Sequence, residues 1–576
     1  MTTKPRLMMR SLKINWICLI IINAVFVVLT IMRSFFCIAV LDEAFNVGQA
    51  LRTIQGNVFL VENWDYFQTG DSFLIPFLYV FYKVTGSTEG IILFSRVVFI
   101  ILQFLFSIFI FKVLSRFFDR VSSFFAVLVF ITAVEFILFY MWYDTWEVLF
   151  RLFGLFLIYF VFCSFEKINH KQAYVLVFFA GIAHACMVYA YPTMIFVYIC
   201  VLVLLFTYKR KQSARVHSLF LLFYVLGSIL VFVVFMIYAF RVGISNLFVF
   251  NKVMAEAGLA STGRDGFFSI SSMLSKTQAF FIENIQCYGF ALVVFFIDVI
   301  LLYILRKHKN RTIIFCVIMI FGCFVQLMST LVTSDCINMF MSYISFYVVP
   351  LYFLLRKNSD RREHYKDLIM IVLVPSVVAG LSYNYTALFG ALKFACGMRP
   401  CAIITVLMLF EVIMHTELRV DKRFVASVFS TLIVAMNILT MYLVSFEGTK
   451  PYDCNTLIRS GIYKGIVDLP ENAKRYETVG KDLADVITEG DKTLGCGPYA
   501  MEFYLMSDLK PDAANLWDPN NTDLLFAYYE MYYGEPDIIV LHDSAGDVTS
   551  RAFLDFVEEK YTLVKYTDGF LIYHHN

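Results

Sequence analysis

The chain has 576 residues, 60% of them hydrophobic and 18% aromatic, with a mean hydropathy of +0.72. Soluble globular proteins are about 45–50% apolar even with glycine included, and apolar runs of about 18 residues or more recur along most of this chain, which excludes a soluble protein and marks a polytopic α-helical membrane protein. The formal net charge of +2 names no partner, because the charges are segregated by position, and no nucleic-acid partner is expected.

In chain order, a basic cluster at Lys4–Lys13 precedes the first apolar run, Trp16 to Val40. That run leads into Leu41-Asp42-Glu43 rather than a small-residue cleavage site, so it reads as a retained anchor. Further basic clusters follow at Lys112–Arg120, Lys167–Lys171, Lys209–Arg215, Arg306–Arg311, Arg356–Lys366 and Arg419–Arg423. The positive-inside rule places them all in the cytoplasm. About thirteen transmembrane helices satisfy that parity: 16–40, 91–111, 121–142, 146–165, 173–190, 193–208, 218–240, 286–305, 312–333, 339–355, 368–386, 400–416 and 424–445. The N-terminus then lies inside and the C-terminal part outside, in a plasma membrane.

Ser72 to Thr85 is apolar but short for a hydrocarbon core about 30 Å thick. It reads as a juxtamembrane or re-entrant helix within an external loop at 41–90. A second long external loop, 242–285, contains Arg264, and Asp335 lies in a short external turn.

A transmembrane domain thus covers 1–447, and 448–576 forms a small extracytoplasmic α/β domain. In that tail, ETVGKDLADVITEG, AMEFYLMSD and SRAFLDFVEEK read as helices, while DKTLGCG, PDIIVLHD, YTLVKY and GFLIYHH read as strands. No GxGxxG or P-loop pattern is present. The 13 cysteines form no CxxC pair or zinc spacing. Cys454 and Cys496 lie in the tail, and an external location would permit a disulfide between them.

Asp42 has a local reading as a helix N-cap. Ala44, Val47, Leu51 and Ile54 share one helical face, Glu43 favours the helix dipole, and Gly56 is a natural stop. Other acids enlarge the picture. Asp144, in YMWYDTWEVLFRLF, falls at the external surface by the same parity. Glu147 follows one turn later, with Arg151 at i+4 as its simplest partner, and Glu135 lies within span three. Asp42 and Asp144 at one membrane depth point to a shared external site.

This ordered set resembles the GT-C superfamily of integral membrane glycosyltransferases. It is most similar to the branch containing protein O-mannosyltransferases and the lipid A aminoarabinose transferase. The shared features are Asp42-Glu43 after the first span, the amphipathic ALRTIQGNVF, the aromatic NWDYFQTGDSFLIPFLYVFYKVTG, a span opening at Ser95-Arg96, and Asp144 before span four. Topology is shared along the chain, but motif-level similarity is confined to about residues 38–165. Two features depart from that pattern. The family's Glu-Lys-Pro-Pro-like turn reads Phe67 to Asp71 here, and its lysine near the end of span five is replaced by a segment offering His184, Tyr189 and Tyr191.

The resemblance implies transfer of a sugar from a polyprenyl-phosphate donor to an acceptor hydroxyl of a cell-envelope polymer, lipid or protein, with inversion. Asp42 would be the general base. Glu43 and Asp144 would orient the acceptor or hold a divalent cation, Mg²⁺ or Mn²⁺, and Glu147 would touch substrate. Arg96, Arg264, Lys393 and Arg399 are the external cations available to the leaving phosphate. His184 reads as a satisfied intramembrane histidine. Two other classes share these features: a flippase for lipid-linked saccharides, and a non-catalytic membrane scaffold of the same fold.

Overall fold

The computed structural model describes residues 4–38, 42–64, 68–133, 141–208, 214–246, 270–333, 337–356, 361–386, 390–416, 421–443, 449–488, 491–496, 500–506, 510–513, 522–542 and 550–576. Among them, nine helices of 21 to 31 residues are long and apolar enough to cross a membrane. Three of the thirteen predicted spans fall instead on shorter apolar helices, at Arg120–Thr132, Pro192–Thr207 and Met339–Leu355, and the first falls on the apolar part, Ile17–Arg33, of the helix Lys4–Arg33. The segment Lys393–Met414 is buried along its whole apolar window and forms the centre of the bundle. Arg215–Val242 and Leu274–Ile304 are mostly exposed, as a lipid-facing periphery requires.

The Ser72–Thr85 stretch opens with a 3₁₀ turn, Ser72–Leu74, and continues as the helix Ile75–Thr85. Eleven residues rise about 16 Å, half of what a bilayer core needs.

The helix predicted after the first span is Asp42–Ile54, and the chain leaves it through Gly56 at φ 107°, a conformation that suits glycine. Amphipathicity suggests a helix lying along the membrane surface. The structure departs from that picture, because every residue from Glu43 to Arg52 is buried. The physical reason is the tail, whose helix Ala500–Met506 packs against its outer side. Arg52 donates to the carbonyls of Glu62 (2.8 Å) and Ala513 (2.7 Å), and to the side-chain oxygens of Asn57 and Asn63. Its polar face is therefore an interface within the protein.

The tail begins with a two-stranded antiparallel ribbon, β1 (Thr456–Leu457) with β2 (Val467–Asp468). A four-stranded mixed sheet follows, of β3 (Thr493–Cys496), β4 (Ile538–His542), β5 (Tyr561–Thr567) and β6 (Phe570–His575), in the order β3-β4-β6-β5. The β5–β6 hairpin turns on Asp568-Gly569, both at positive φ, as a tight two-residue turn demands. The three predicted tail helices are observed at Pro470–Ala484, Ala500–Met506 and Arg551–Lys560, and a further helix, Thr522–Tyr528, is added.

Asp512 lies between the tail and the first loop and is buried. Burial pushes its carboxyl up to about 7, with Lys492, Lys510 and Arg52 opposing the rise and Asp537 adding to it. Between the ordinary value of 3.8 and about 7, the folded chain keeps a proton that the unfolded chain has released. Stability therefore falls as pH rises through that window and is level above it. The wild-type thermal midpoint should fall between about pH 4 and about pH 7 by more than that of Asp512→Asn. Parallel profiles for the two proteins would contradict this.

Candidate active site at one end of the bundle

Four connectors meet at the end of the bundle that bears the tail: the segment after the first span, the turn Gln68–Asp71, the start of helix Tyr143–Ser164, and the helix Gly390–Met398. The first is tied down at almost every backbone group. Arg33 donates to the carbonyls of Phe36 and Met441, and Arg96 to those of Ser34, Phe36 and Cys37. On the tail side, Cys37 N–H donates to Val467 (3.0 Å), Val467 N–H to Phe35 (2.8 Å), and Ile38 N–H to the Asp468 carboxylate (2.8 Å). Residues 34–38 are thus held in one place. Asp42 itself opens its helix and is described by its backbone alone.

Glu43 and Arg96 form a fully buried, two-pronged ion pair, with Nε–Oε1 at 2.7 Å and Nη2–Oε2 at 2.5 Å. With the three carbonyl contacts, all five Arg96 N–H groups are committed within the protein. Arg96, expected to receive a phosphate, and Glu43, expected in the chemistry, are thus each other's partners in this structure. Glu147, expected to touch substrate, is paired in the same way. Its Oε1 meets Arg151 Nε at 2.7 Å, the i+4 partner named in the sequence, and its Oε2 accepts from Tyr383 Oη at 2.7 Å. Arg151 in turn donates to Ser376 Oγ and to the Gly397 carbonyl, each at 3.0 Å. His184 has Tyr224 Oη at 2.7 Å from Nδ1 and the Arg151 carbonyl at 3.2 Å from Nε2, which is the satisfied intramembrane histidine expected.

Asp144 differs. It is buried at the first turn of its helix, and its Oδ2 meets Lys393 Nζ at 2.5 Å. The lysine side chain keeps 12% exposure and lies 4.3 Å from the centre of the Trp142 ring. Asp144–Lys393 is therefore an ion pair at the rim, where the other two are sealed. Arg399 sits in the 3₁₀ turn Arg399–Cys401 that continues the Lys393 helix, at 5% exposure. Arg264, Glu135 and Asp335 lie outside the described residues.

A close backbone crossing sets the Lys393 helix. A Cβ on Gly397 would stand 2.5 Å from Gly380 Cα and 3.0 Å from Ala379 C, and closer still to Gly380 N. These are backbone atoms with no side-chain freedom to retreat. Gly397→Ala should cost about 1–3 kcal/mol and should lower turnover by shifting Lys393 and Arg399. An unchanged thermal midpoint and turnover would show that the crossing is dispensable.

Sequence reasoning overlooked one group and one pairing here. Asp71 is buried, and its neighbour Gly70 packs on Tyr143, beside Asp144. Its only signal was the FQTGD turn, read as a departure from the family pattern. Lys393 was read as a phosphate ligand, and its pairing with Asp144 was invisible.

The carboxylates do not fit as a shared cation site in this arrangement. Glu43 and Asp144 each face a buried or half-buried protein cation at 2.5 Å, and a metal ion beside them would meet that positive charge. A group that could hold a metal ion lies at the other end of the bundle, by the predicted cytoplasmic cluster Arg356–Lys366. Cys163, His364 and Asp367 there bring one ligand atom each within 4.8 Å of one another. Cys163 Sγ is 3.3 Å from Asp367 Oδ2, and Tyr208 Oη is 2.8 Å from Oδ1.

No family model matches the chain, and no curated protein matches it. Among solved structures, the chain is similar to the archaeal oligosaccharyltransferase AglB from Archaeoglobus fulgidus, solved with an inhibitory peptide and a dolichol-phosphate. Identity is 10%, the TM-score is 0.44, and the match covers 97% of this chain and 74% of that one. It is also similar to an Archaeoglobus fulgidus oligosaccharyltransferase solved with Zn and sulfate, at 11% identity and a TM-score of 0.46, over 96% of this chain and 73% of that one. At that level of identity and superposition, the likeness says nothing of individual residues.

Proposed function

We propose that this protein is a membrane glycosyltransferase that moves a sugar from a polyprenyl-phosphate-linked donor to an acceptor hydroxyl on the extracytoplasmic face. The observation that carries the reading is the Asp144–Lys393 pair, at the rim of the bundle end where the helix opened by Asp42 is anchored. The donor's lipid lies in the bilayer and its headgroup at that rim. In the reaction, Asp42 takes the acceptor proton as the acceptor oxygen attacks the anomeric carbon. The bond from that carbon to the lipid phosphate breaks on the opposite side, giving inversion. Lys393 and Arg399 supply positive charge to the departing phosphate, and Asp144 holds Lys393 in place. Glu43, Arg96, Glu147 and Arg151 fix the frame.

Two facts support thirteen spans with the tail outside. Each predicted span coincides with an apolar helix, long or short. Contacts also join residues that the charge pattern assigns to one side: Thr88 Oγ1 donates to the Leu505 carbonyl (2.8 Å) on the outer side, and Arg423 meets Asp119 (3.0 Å) on the inner.

The test is purified protein in vesicles with a panel of polyprenyl-phosphate sugars and hydroxyl acceptors. A new glycosidic bond and released lipid phosphate are expected. Lipid-linked sugar crossing the vesicle with no bond formed would replace this reading with transport. For orientation, Ser87→Cys should react with a membrane-impermeant maleimide added from outside. Labelling from the cytoplasmic side would overturn the assignment.

A further inference from the structure

The sequence permits a disulfide of Cys454 with Cys496, and the structure places another thiol, that of Cys37, beside Cys454. Cys454 Sγ is 3.4 Å from the Sγ of Cys37, across 417 positions of sequence, and both residues are buried. Cys37 has φ 62°, in the left-handed region that side chains other than glycine seldom adopt. The hydrogen bonds that join its own N–H and the Phe35 carbonyl to Val467, and that of Arg96 to its own carbonyl, hold it there. Cys454 lies just before β1, and β2, the strand paired with β1, carries Val467 and Asp468. The two thiols therefore meet where the end of the first span docks on the tail.

We propose that Cys37 and Cys454 form a resident disulfide that staples the tail to the segment leading into Asp42. The proposal rests on the external placement of this end of the bundle, where thiols meet an oxidising milieu. The chemistry is exchange with an external disulfide, RSSR, either a small molecule or the active site of an oxidoreductase. The Cys37 thiolate attacks one sulfur and releases one RSH, leaving a mixed disulfide. The Cys454 thiolate then attacks the Cys37 sulfur and releases the second RSH. Two cysteine thiols lose two hydrogens, and RSSR takes both electrons. Burial of both side chains means that exchange precedes docking, and that the finished bond is shielded from reductants.

The test is maleimide counting and peptide mapping on full-length protein, alkylated at lysis and denatured without reductant. Wild type should show two fewer reactive thiols than the 13 of the sequence, and a Cys37–Cys454 cross-linked peptide. In Cys37→Ser and in Cys454→Ser, every remaining thiol should react, and the thermal midpoint should fall in both. Thirteen reactive thiols in the wild type, or a cross-link from Cys454 to Cys496, would overturn the proposal. Oxidised glutathione added to a fully reduced sample in mild denaturant, which undocks the tail, before the denaturant is removed, then identifies the fault. Closure of the pair would mean that the geometry is right and the external placement wrong, and failure to close would mean that the geometry is wrong.

Discussion

Asp42→Asn is expected to lower glycosyl transfer by about 10²–10⁴-fold, the usual contribution of a positioned general base. The substitution suits its purpose because asparagine has nearly the size and shape of aspartate and is equally accepted at a helix start, while its amide cannot act as a base. Helix Asp42–Ile54 should therefore stay in place, still fastened by Arg52 to the Glu62 and Ala513 carbonyls. The thermal midpoint and the affinity for a polyprenyl-phosphate sugar should match the wild type, so the loss should fall on kcat rather than KM. A variant that turns over at the wild-type rate would remove Asp42 from the reaction. A variant that loses donor binding to the same degree would make it a binding group instead.

Disrupting the Glu43–Arg96 pair should cost stability first. Arg96→Met leaves the Glu43 carboxylate buried without its two-pronged partner and strips donors from the carbonyls of Ser34, Phe36 and Cys37. Removing one member of a buried pair typically costs about 3–5 kcal/mol, because the other charge stays desolvated. Glu43→Gln should cost less, since Arg96 keeps its three carbonyls. The double variant Glu43→Gln/Arg96→Met should be more stable than the sum of the two single losses predicts, as residues in one network are not additive. Thermal midpoints of the four proteins in one detergent would measure this cycle. If Arg96→Met melts like the wild type and only raises KM for the donor, Arg96 is a phosphate ligand after all.

The other end of the bundle has a different chemical character. Cys163 lies near the end of helix Tyr143–Ser164, while His364 and Asp367 lie just before a π-helical segment, Ile369–Leu373, in the span that also carries Ser376 and Gly380. Its soft and imidazole ligands are unlike the all-oxygen set that Mg²⁺ or Mn²⁺ prefers. Any metal requirement of transfer should therefore be assigned by mutating Asp144 and Cys163 separately.

What the sequence by itself determined is what a local stretch of chain can carry. Apolar length marked the spans, and the positions of lysine and arginine divided their ends into two groups. Alternation of helix and strand patterns outlined the tail, and the Gly56 stop ended the helix that begins at Asp42. Each of these depends on neighbours within a few turns, so hydropathy and periodicity record it. The i+4 pair of Glu147 and Arg151 was legible for the same reason. The partners that give the other acids their roles are distant: Glu43 and Arg96 are 53 positions apart, Asp144 and Lys393 are 249 apart, and Cys37 and Cys454 are 417 apart. Only tertiary packing decides which acid is sealed against which cation, since a buried charge takes whatever partner the fold brings within about 3 Å. That choice sealed Glu43 against Arg96 and Glu147 against Arg151, and left the pair of Asp144 and Lys393 at the rim. The burial of helix Asp42–Ile54 on every side has the same origin, because its polar face reads as a surface until the tail is docked on it.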